Sequence, residues 1–107
     1  MAFDHGLVAR VADALEAINE RGIRQKNVFG GRGFLVGKST FVIVSTESII
    51  VKAAAADYAS LKEERGVTPF APGGDRPMGT WLVVEAEAIA DDPELSEWVR
   101  RGLRAIR

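Results

Sequence analysis

The sequence contains no cysteine and only one histidine, His5. Disulfide bonds, a thiolate nucleophile and a cysteine-based zinc site are therefore excluded, and one imidazole cannot build a histidine-rich metal site. No apolar run approaches the roughly 20 residues that span a bilayer. The N-terminus MAFDHGLVAR also lacks the basic-then-apolar order of a signal peptide. We expect a cytoplasmic protein with no metal site and no membrane partner.

The chain has the length of one domain. Its 107 residues are enough to bury a single core and too few for two. Hydrophobic residues make up 47% and charged residues 27% of the chain, close to ordinary globular usage and far from disorder. We therefore expect one compact domain over residues 1–107.

The net charge of −1 hides a segregation of cations. No acidic residue lies between Glu20 and Glu47, and the final ten residues are also free of acids. Exposed cations are common beside loops, and those at a helix C-terminus offset the helix dipole. The alternative interpretation is a surface that binds DNA through backbone charge, although such binding usually goes with a more basic domain. The cations of the two segments are Arg21, Arg24, Lys26, Arg32 and Lys38 in the first, and Arg100, Arg101, Arg104 and Arg107 in the second.

The stretch GGRGFLVGKST, residues 30–40, has some features of a phosphate-binding loop. Such a loop needs a glycine five positions before Gly37, but that position is occupied by Arg32. The lysine of a phosphate-binding loop also opens a helix, whereas Lys38 is followed by the β-branched and aromatic run TFVIVS. We expect a hairpin turn here and no nucleotide or other cofactor.

Three segments carry the signals of helices. Asp4 is expected as an N-cap, after which apolar residues recur every three or four positions until Gly22, the expected helix stop. A short alanine-rich helix is predicted over 54–65. The last helix is predicted to have Asp92 as its N-cap and Pro93 at its first position. Its expected apolar face consists of Leu95, Trp98, Val99, Leu103 and Ile106.

Short β-branched and aromatic runs divided by glycine and small polar residues predict about five strands. The connections between the first four are too short for a parallel crossover, which needs about a dozen residues. These four strands should form an antiparallel meander, and the proline-rich segment 67–79 should be an ordered loop. Helices combined with an antiparallel sheet make an α+β domain. The predicted strands cover 26–29, 33–36, 40–45, 49–53 and 80–84.

Two of the predicted strands, TFVIV and SIIVK, are apolar at both alternating sets of positions. Phe41 and Ile43 would face one side of the sheet, and Val42 and Val44 the other. A sheet with one solvated face should instead alternate apolar with polar residues. Either helices cover both faces, or a homodimer buries part of the sheet. Sedimentation equilibrium at micromolar concentration would detect the dimer.

The run KNVFGGRGFLVGKSTFVIV resembles the hallmark of the TfoX/Sxy N-terminal domain family, in which a K-x-M-F-G-G-x-G-F stretch leads into a strand, a turn and another strand. Val28 stands where methionine is usual. The likeness continues, with order and spacing kept, through IIVKAAAADYASLKEERGVTPF, RPMGTWLVV and DDPELSEWVRRGL, and so covers nearly the whole chain. The matching hallmark residues are Phe29, Gly30, Gly31, Gly33 and Phe34.

The resemblance implies an α+β domain with an antiparallel sheet and terminal helices. The named members of this family are bacterial regulators of DNA uptake competence that act with a cyclic-AMP receptor protein at its promoters. Those members have a second, C-terminal domain, and we expect this chain to be a single-domain member without it.

For the hallmark residues we expect a mainly structural role. The glycines should provide unusual backbone angles or a close approach of strands. Phe29 and Phe34 should fill the core, as should Trp81 and Trp98.

The favoured function is a non-enzymatic regulatory domain that binds a protein partner, in transcription regulation, through its basic loops. Its candidate contacts are Arg24, Lys26, Arg32 and Lys38. One alternative is direct binding of nucleic acid by the basic stretch 21–38, although the near-neutral total charge weighs against it. A domain that binds an uncharacterised small ligand is a further alternative.

Carboxylates are plentiful, but general acid–base catalysis needs a pair of them held in a pocket. The acidic residues occur where solvent-facing charge is expected, so we do not expect an enzyme. A deep pocket enclosing two of them would favour one. The residues concerned are Glu63, Glu64, Glu85, Glu87, Asp91 and Asp92.

Overall fold

A computed structural model of the chain describes residues 3–107. The described residues form an α+β domain with an antiparallel sheet and helices at both ends, which confirms the predicted fold class. In chain order the elements are α1 (His5–Ala17), β1 (Ile23–Val28), β2 (Gly31–Val36), β3 (Ser39–Val44), β4 (Ile49–Lys52), α2 (Ala55–Leu61), β5 (Val67–Pro69), β6 (Trp81–Val84), a 3₁₀ helix (Ala86–Ile89) and α3 (Asp92–Ala105).

The six strands pair in the order β1-β2-β3-β4-β6-β5, and every neighbouring pair is antiparallel. The first four form the predicted meander. The sequence predicted five of these six strands. The strand that it did not predict is β5, which has only three residues and ends at Pro69. Proline cannot donate to a ladder and is confined to edge strands, and β5 lies at the edge.

All three α-helices contribute to one apolar core. α1 buries Leu7, Val11 and Leu15 there, and Leu61 of α2 joins the same cluster. α3 presents the apolar face predicted for it, with Ile106 packed at its margin. The sheet face toward these helices is the core face.

The end of α1, the N-cap of α3 and the end of α2 differ from the predicted positions. α1 ends at Ala17 rather than near Gly22 because Asn19 adopts a left-handed backbone, with φ 60°. The N–H of Glu20 donates to the carbonyl of Leu15 at 3.0 Å, which closes the helix by a Schellman-type bond. Asparagine tolerates this conformation better than most residues.

The N-cap of α3 is Asp91 and not Asp92. The backbone N–H of Asp91 donates to Oε1 of Glu94 at 3.3 Å, which is the reciprocal bond of a capping box.

α2 stops at Leu61 because the next backbone bonds span three residues, so the chain continues as turns. These bonds join Glu63 to Ser60 and Glu64 to Leu61.

A β-bulge in β3 changes which side chains face the core. Phe34 pairs with Val42 and Leu35 pairs with Thr40, so Phe41 is an extra residue without an opposite partner. Phe41 therefore points into the core together with its neighbour Val42, and both are fully buried. Strict alternation would have placed Phe41 on the opposite face.

The opposite face of the sheet, here called the second face, has its own buried apolar residues. Leu35, Ile43 and Ile50 are buried but lie outside the cluster that the helices build. Ile43 is directly opposite Ile50 in the ladder. Helices thus do not cover both faces, contrary to one of the two interpretations of the apolar strands. The homodimer stays a prediction.

The two edges of the sheet approach each other over this second face. In a flat sheet of six strands, β1 and β5 would be separated by five spacings, roughly 24 Å. The ring of Phe29, which follows β1, lies only 5.6 Å from the ring of Phe70, which follows β5. The sheet therefore curls toward the second face, because the helices occupy the other one.

Two hallmark glycines permit the close packing on the second face. A Cβ at Gly31 would lie 2.4 Å from the carbonyl oxygen of Val44, and a Cβ at Gly33 would lie 2.8 Å from Cγ2 of Val28. Real Cβ atoms do not approach other heavy atoms that closely. These distances support a structural role for the two glycines, which stays a prediction.

Candidate interaction surface

The turn between β1 and β2 has an unusual backbone. Its two central residues, Phe29 and Gly30, have φ values of 52° and 76°, and the flanking pair is Val28 opposite Gly31. Two positive φ values in a two-residue loop define a type I′ turn, which favours Asn-Gly. A bulky residue at positive φ is an outlier. Such strain costs of order 1–3 kcal/mol and concentrates at functional sites.

Phe29 is also exposed. It shows 62% of its surface to solvent and is the one large apolar residue so exposed among residues 3–107. Its ring meets the ring of Phe70 edge-on, with an interplanar angle of 76°. The expectation that Phe29 fills the core is therefore wrong. The turn is centred on residues 29–30, so the predicted strand 26–29 is one residue too long, and Phe29 projects from the tip of the turn.

Phe34 and Trp98 do fill the core, as expected. Trp81 is half-buried, and its register opposite Lys52 places it on the second face. Sequence reasoning missed Phe70, whose loop lies far from the hallmark run in the chain.

Three of the four predicted contact residues lie on the first hairpin, which consists of β1, its turn and β2, and the fourth, Lys38, lies in the turn that follows β2. Arg24 and Lys26 share the second face of β1, and Nη2 of Arg24 donates to the carbonyl of Gly37 at 2.8 Å. Lys38 lies in that same turn between β2 and β3 and is exposed. Arg32 projects from the core face of β2. The structure thus places Arg24 and Lys26 on one face, links Arg24 to the turn that contains Lys38, and separates Arg32 from them.

Arg32 is tied to polar side chains of the neighbouring strand. Its Nε donates to Oε1 of Gln25 and its Nη1 to Oδ1 of Asn27, each at 3.0 Å. Neither partner carries charge. The hydrogen bonds position the guanidinium group without neutralising it.

The two cationic segments of the sequence differ in their partners. Within residues 3–107, none of the cations between Glu20 and Glu47 forms an ion pair. At the C-terminus, by contrast, Arg101, Arg104 and Arg107 all pair with acids of this chain. Three C-terminal cations are therefore paired with acids of this chain, whereas the cations between Glu20 and Glu47 remain available to a partner.

An open groove of about 810 Å³ lies between α3, the 3₁₀ helix and the turn after α2. It brings together Glu64 and Glu87, two of the carboxylates considered for acid–base chemistry. Their side chains are 43% and 59% exposed and pair with Arg101 and Arg65, respectively. Exposed pairs of this kind are typical of a solvated surface.

The described residues contain neither a metal-binding cluster nor a membrane-spanning helix. Residues 3–107 contain no group of three or more potential ligands, histidine or acidic, that could hold a metal ion. In the same range no helix has both the length and the apolar character needed to cross a bilayer. The first hairpin therefore provides the most distinctive surface of the domain, through the exposed Phe29 and the unpaired cations.

Comparison with known proteins supports the resemblance noted from the hallmark run. The family model described as the TfoX N-terminal domain matches residues 9–106, which is nearly the whole chain. The matched range contains the complete sheet, the strained turn and the cations of the first hairpin. No curated protein and no solved structure matches the chain in these comparisons.

Proposed function

Because the chain belongs to the TfoX N-terminal domain family, we propose that it is a non-enzymatic regulatory domain that binds a protein partner through its first hairpin. The observation that carries this proposal is Phe29, an aromatic side chain held exposed on a strained backbone. A sequence selected for stability alone would favour asparagine at this position. We infer that Phe29 serves partner binding in addition to its contact with Phe70.

The physical properties of Phe29 suit an interaction anchor. Aromatic residues dominate the binding energy of protein interfaces, where truncation of one anchor typically costs about 2 kcal/mol or more. The edge-on contact with Phe70 holds the ring in one orientation before binding. Less side-chain freedom is then lost when a partner binds.

The unpaired cations complete the surface. Arg24 and Lys26 lie on the strand that leads to the turn, and Lys38 lies in the turn that follows β2. Exposed charges of one sign raise association rates with a partner of the opposite sign and orient it. We place that partner among proteins that regulate transcription, which is what the likeness to the TfoX/Sxy regulators implies.

We expect Phe29→Asn to abolish partner capture without destabilising the domain. Asparagine suits the left-handed position, which offsets the loss of the contact with Phe70, so the free energy of unfolding should change by less than about 1 kcal/mol. The measurement is affinity capture of the tagged protein from nuclease-treated lysate of its own cells, followed by mass spectrometry. A protein recovered by the wild type should fall at least roughly tenfold with the variant.

Phe29→Tyr is the matched control, since it keeps the ring and should retain the partner. Recovery of the same proteins by Phe29→Asn would refute the proposed anchor, and so would recovery of the bait alone by the wild type. A drop of melting temperature in Phe29→Asn equivalent to more than about 2 kcal/mol would show instead that Phe29 stabilises the curled sheet.

Nucleic acid is the competing partner, and salt separates the two cases. Phosphate contacts release counterions, so binding of a labelled single-stranded oligonucleotide would weaken steeply as salt rises. Such binding, retained in Phe29→Asn, would favour direct nucleic-acid binding by the stretch 21–38 over a protein partner.

A further inference from the structure

The first strand of the hairpin is also an open edge of the sheet. β1 has six residues and lies at one end of the strand order, whereas the other edge strand, β5, has three residues and ends in proline. Within residues 3–107, no backbone hydrogen bond joins β1 to anything beyond β2. An edge of this length can accept another strand.

The turn geometry shows which backbone groups face outward. A type I′ turn closes with a hydrogen bond between its flanking residues, so Val28 is bonded to Gly31. Bonded and non-bonded pairs alternate along an antiparallel ladder. Lys26 and Arg24 are therefore bonded to β2, and the residues between them direct their N–H and C=O groups to solvent. The outward-facing residues are Ile23, Gln25 and Asn27.

The charge along this edge selects the kind of strand that can join it. Arg24 and Lys26 are two residues apart on the same face, and both lie in the stretch without acidic residues. A second copy pairing through its own β1 would bring four cations together on one face, and like charges opposite each other are destabilising. An acidic strand would instead place opposite charges side by side.

We propose that β1 accepts an extended acidic segment of a protein partner as an additional strand of the sheet. The backbone of Ile23, Gln25 and Asn27 would bond to the segment, and acidic residues at alternate positions would lie beside Arg24 and Lys26. This inference rests on the proposed function and specifies its binding mode. Phe29, at the end of the same strand, would contact the partner beyond the added segment.

A synthetic peptide serves as the probe because the partner is unidentified. The peptide has about eight residues, blocked ends and a fluorophore, and alternates glutamate with threonine. A matched peptide carries lysine in place of glutamate. By fluorescence anisotropy, the full chain should bind the glutamate peptide at least roughly tenfold more tightly than the lysine peptide.

Hydrogen exchange measured by NMR tests whether the backbone is involved. On addition of the glutamate peptide, the amides of Ile23, Gln25 and Asn27 should become protected from exchange. The amides of Arg24 and Lys26 already bond to β2 and should change little. A contact made by side chains alone would not produce this alternation.

A pair of substitutions at one position isolates the backbone contribution. Gln25→Pro removes an outward N–H but none of the bonds to β2, and it should weaken binding of the glutamate peptide at least roughly tenfold. Gln25→Val also removes the side-chain contact with Arg32 yet keeps the N–H, and it should bind like the wild type. If Gln25→Pro does not fold, Asn27→Pro provides the same test, because it removes another outward N–H of β1.

Charge reversal provides an independent test. Lys26→Glu should weaken the glutamate peptide and strengthen the lysine peptide. Equal affinity of the wild-type protein for the two peptides would overturn the proposal. It would also be overturned if the amides of Ile23, Gln25 and Asn27 gained no protection from hydrogen exchange at millimolar peptide.

Two other occupants of the edge would also overturn it. A wild-type dimer that Gln25→Pro converts to a monomer would show that a second copy fills the edge. A single-stranded oligonucleotide could also displace the peptide. If that oligonucleotide bound Gln25→Pro and the wild type with equal affinity, the edge would be a phosphate-binding patch.

Capture from lysate distinguishes this inference from the proposed function. A partner lost by Gln25→Pro but kept by Phe29→Asn supports strand addition and refutes the anchor. A partner lost by Phe29→Asn but kept by Gln25→Pro supports the anchor and refutes strand addition.

Discussion

Gly31→Val is expected to lower the free energy of unfolding by at least about 3 kcal/mol, because overpacking against a backbone that cannot move costs more than overpacking against side chains. The added Cβ would lie 2.4 Å from the carbonyl oxygen of Val44 and 3.0 Å from Cγ2 of Ile43. The hairpin would have to separate from β3 to relieve the contact. Domains of this size have total stabilities of about 5–15 kcal/mol, so thermal unfolding by circular dichroism should shift by roughly 10 °C or more.

Gly73→Val is the matched control for this substitution. A Cβ at Gly73 would have only Oδ1 of Asp75 nearby, at 4.0 Å, and the φ of Gly73 is not in the left-handed region. Its replacement should change the melting temperature by little. If Gly31→Val kept the wild-type melting temperature and lost partner binding, the glycine would be a contact residue and its structural role would be refuted.

Phe41→Ala should reduce the free energy of unfolding by about 3–5 kcal/mol, the usual range for truncation of a buried phenylalanine. Phe41 is 0% exposed, and its backbone and ring pack under Gly102 of α3. Removal of the ring leaves a cavity between the bulge of β3 and the last helix. Chemical denaturation with urea would measure the loss, with the midpoint lowered at unchanged slope.

Phe29→Ala provides the contrast within the same residue type. It removes an exposed ring and one aromatic contact, so the free energy of unfolding should fall by no more than about 1.5 kcal/mol. Equal losses for Phe41→Ala and Phe29→Ala would mean that the ring of Phe29 is as important for the fold as the core, contrary to its exposure.

Periodicity and glycine placement predicted the fold class, both terminal helices and the meander. Errors arose where one residue changes a local geometry. The bulge at Phe41 converts an alternating strand into one with two successive core residues, and no feature of TFVIV distinguishes that arrangement from an ordinary strand. Strand β5 escaped prediction because three residues ending in proline carry too little pattern.

The candidate surface was predictable in composition but not in arrangement. The segregation of cations between Glu20 and Glu47 is visible in the sequence. Which of them share a face depends on strand register, which places Arg32 on the other face of the sheet from Arg24 and Lys26. Phe29 was assigned to the core because it is a large apolar residue at the end of the predicted strand 26–29. Ending that strand one residue earlier would have shown Phe29 at the turn.

The packing of α1 against α3 has a consequence for synthesis on the ribosome. The apolar face of α1 is completed by residues such as Leu95 and Val99, which belong to the last helix. Residues 18–91 must be translated in between, which takes roughly 4–15 s at about 5–20 residues per second. During that interval the nascent chain exposes Leu7, Val11 and Leu15 without their final partners. The emerging chain therefore exposes an apolar helix face that the completed domain buries.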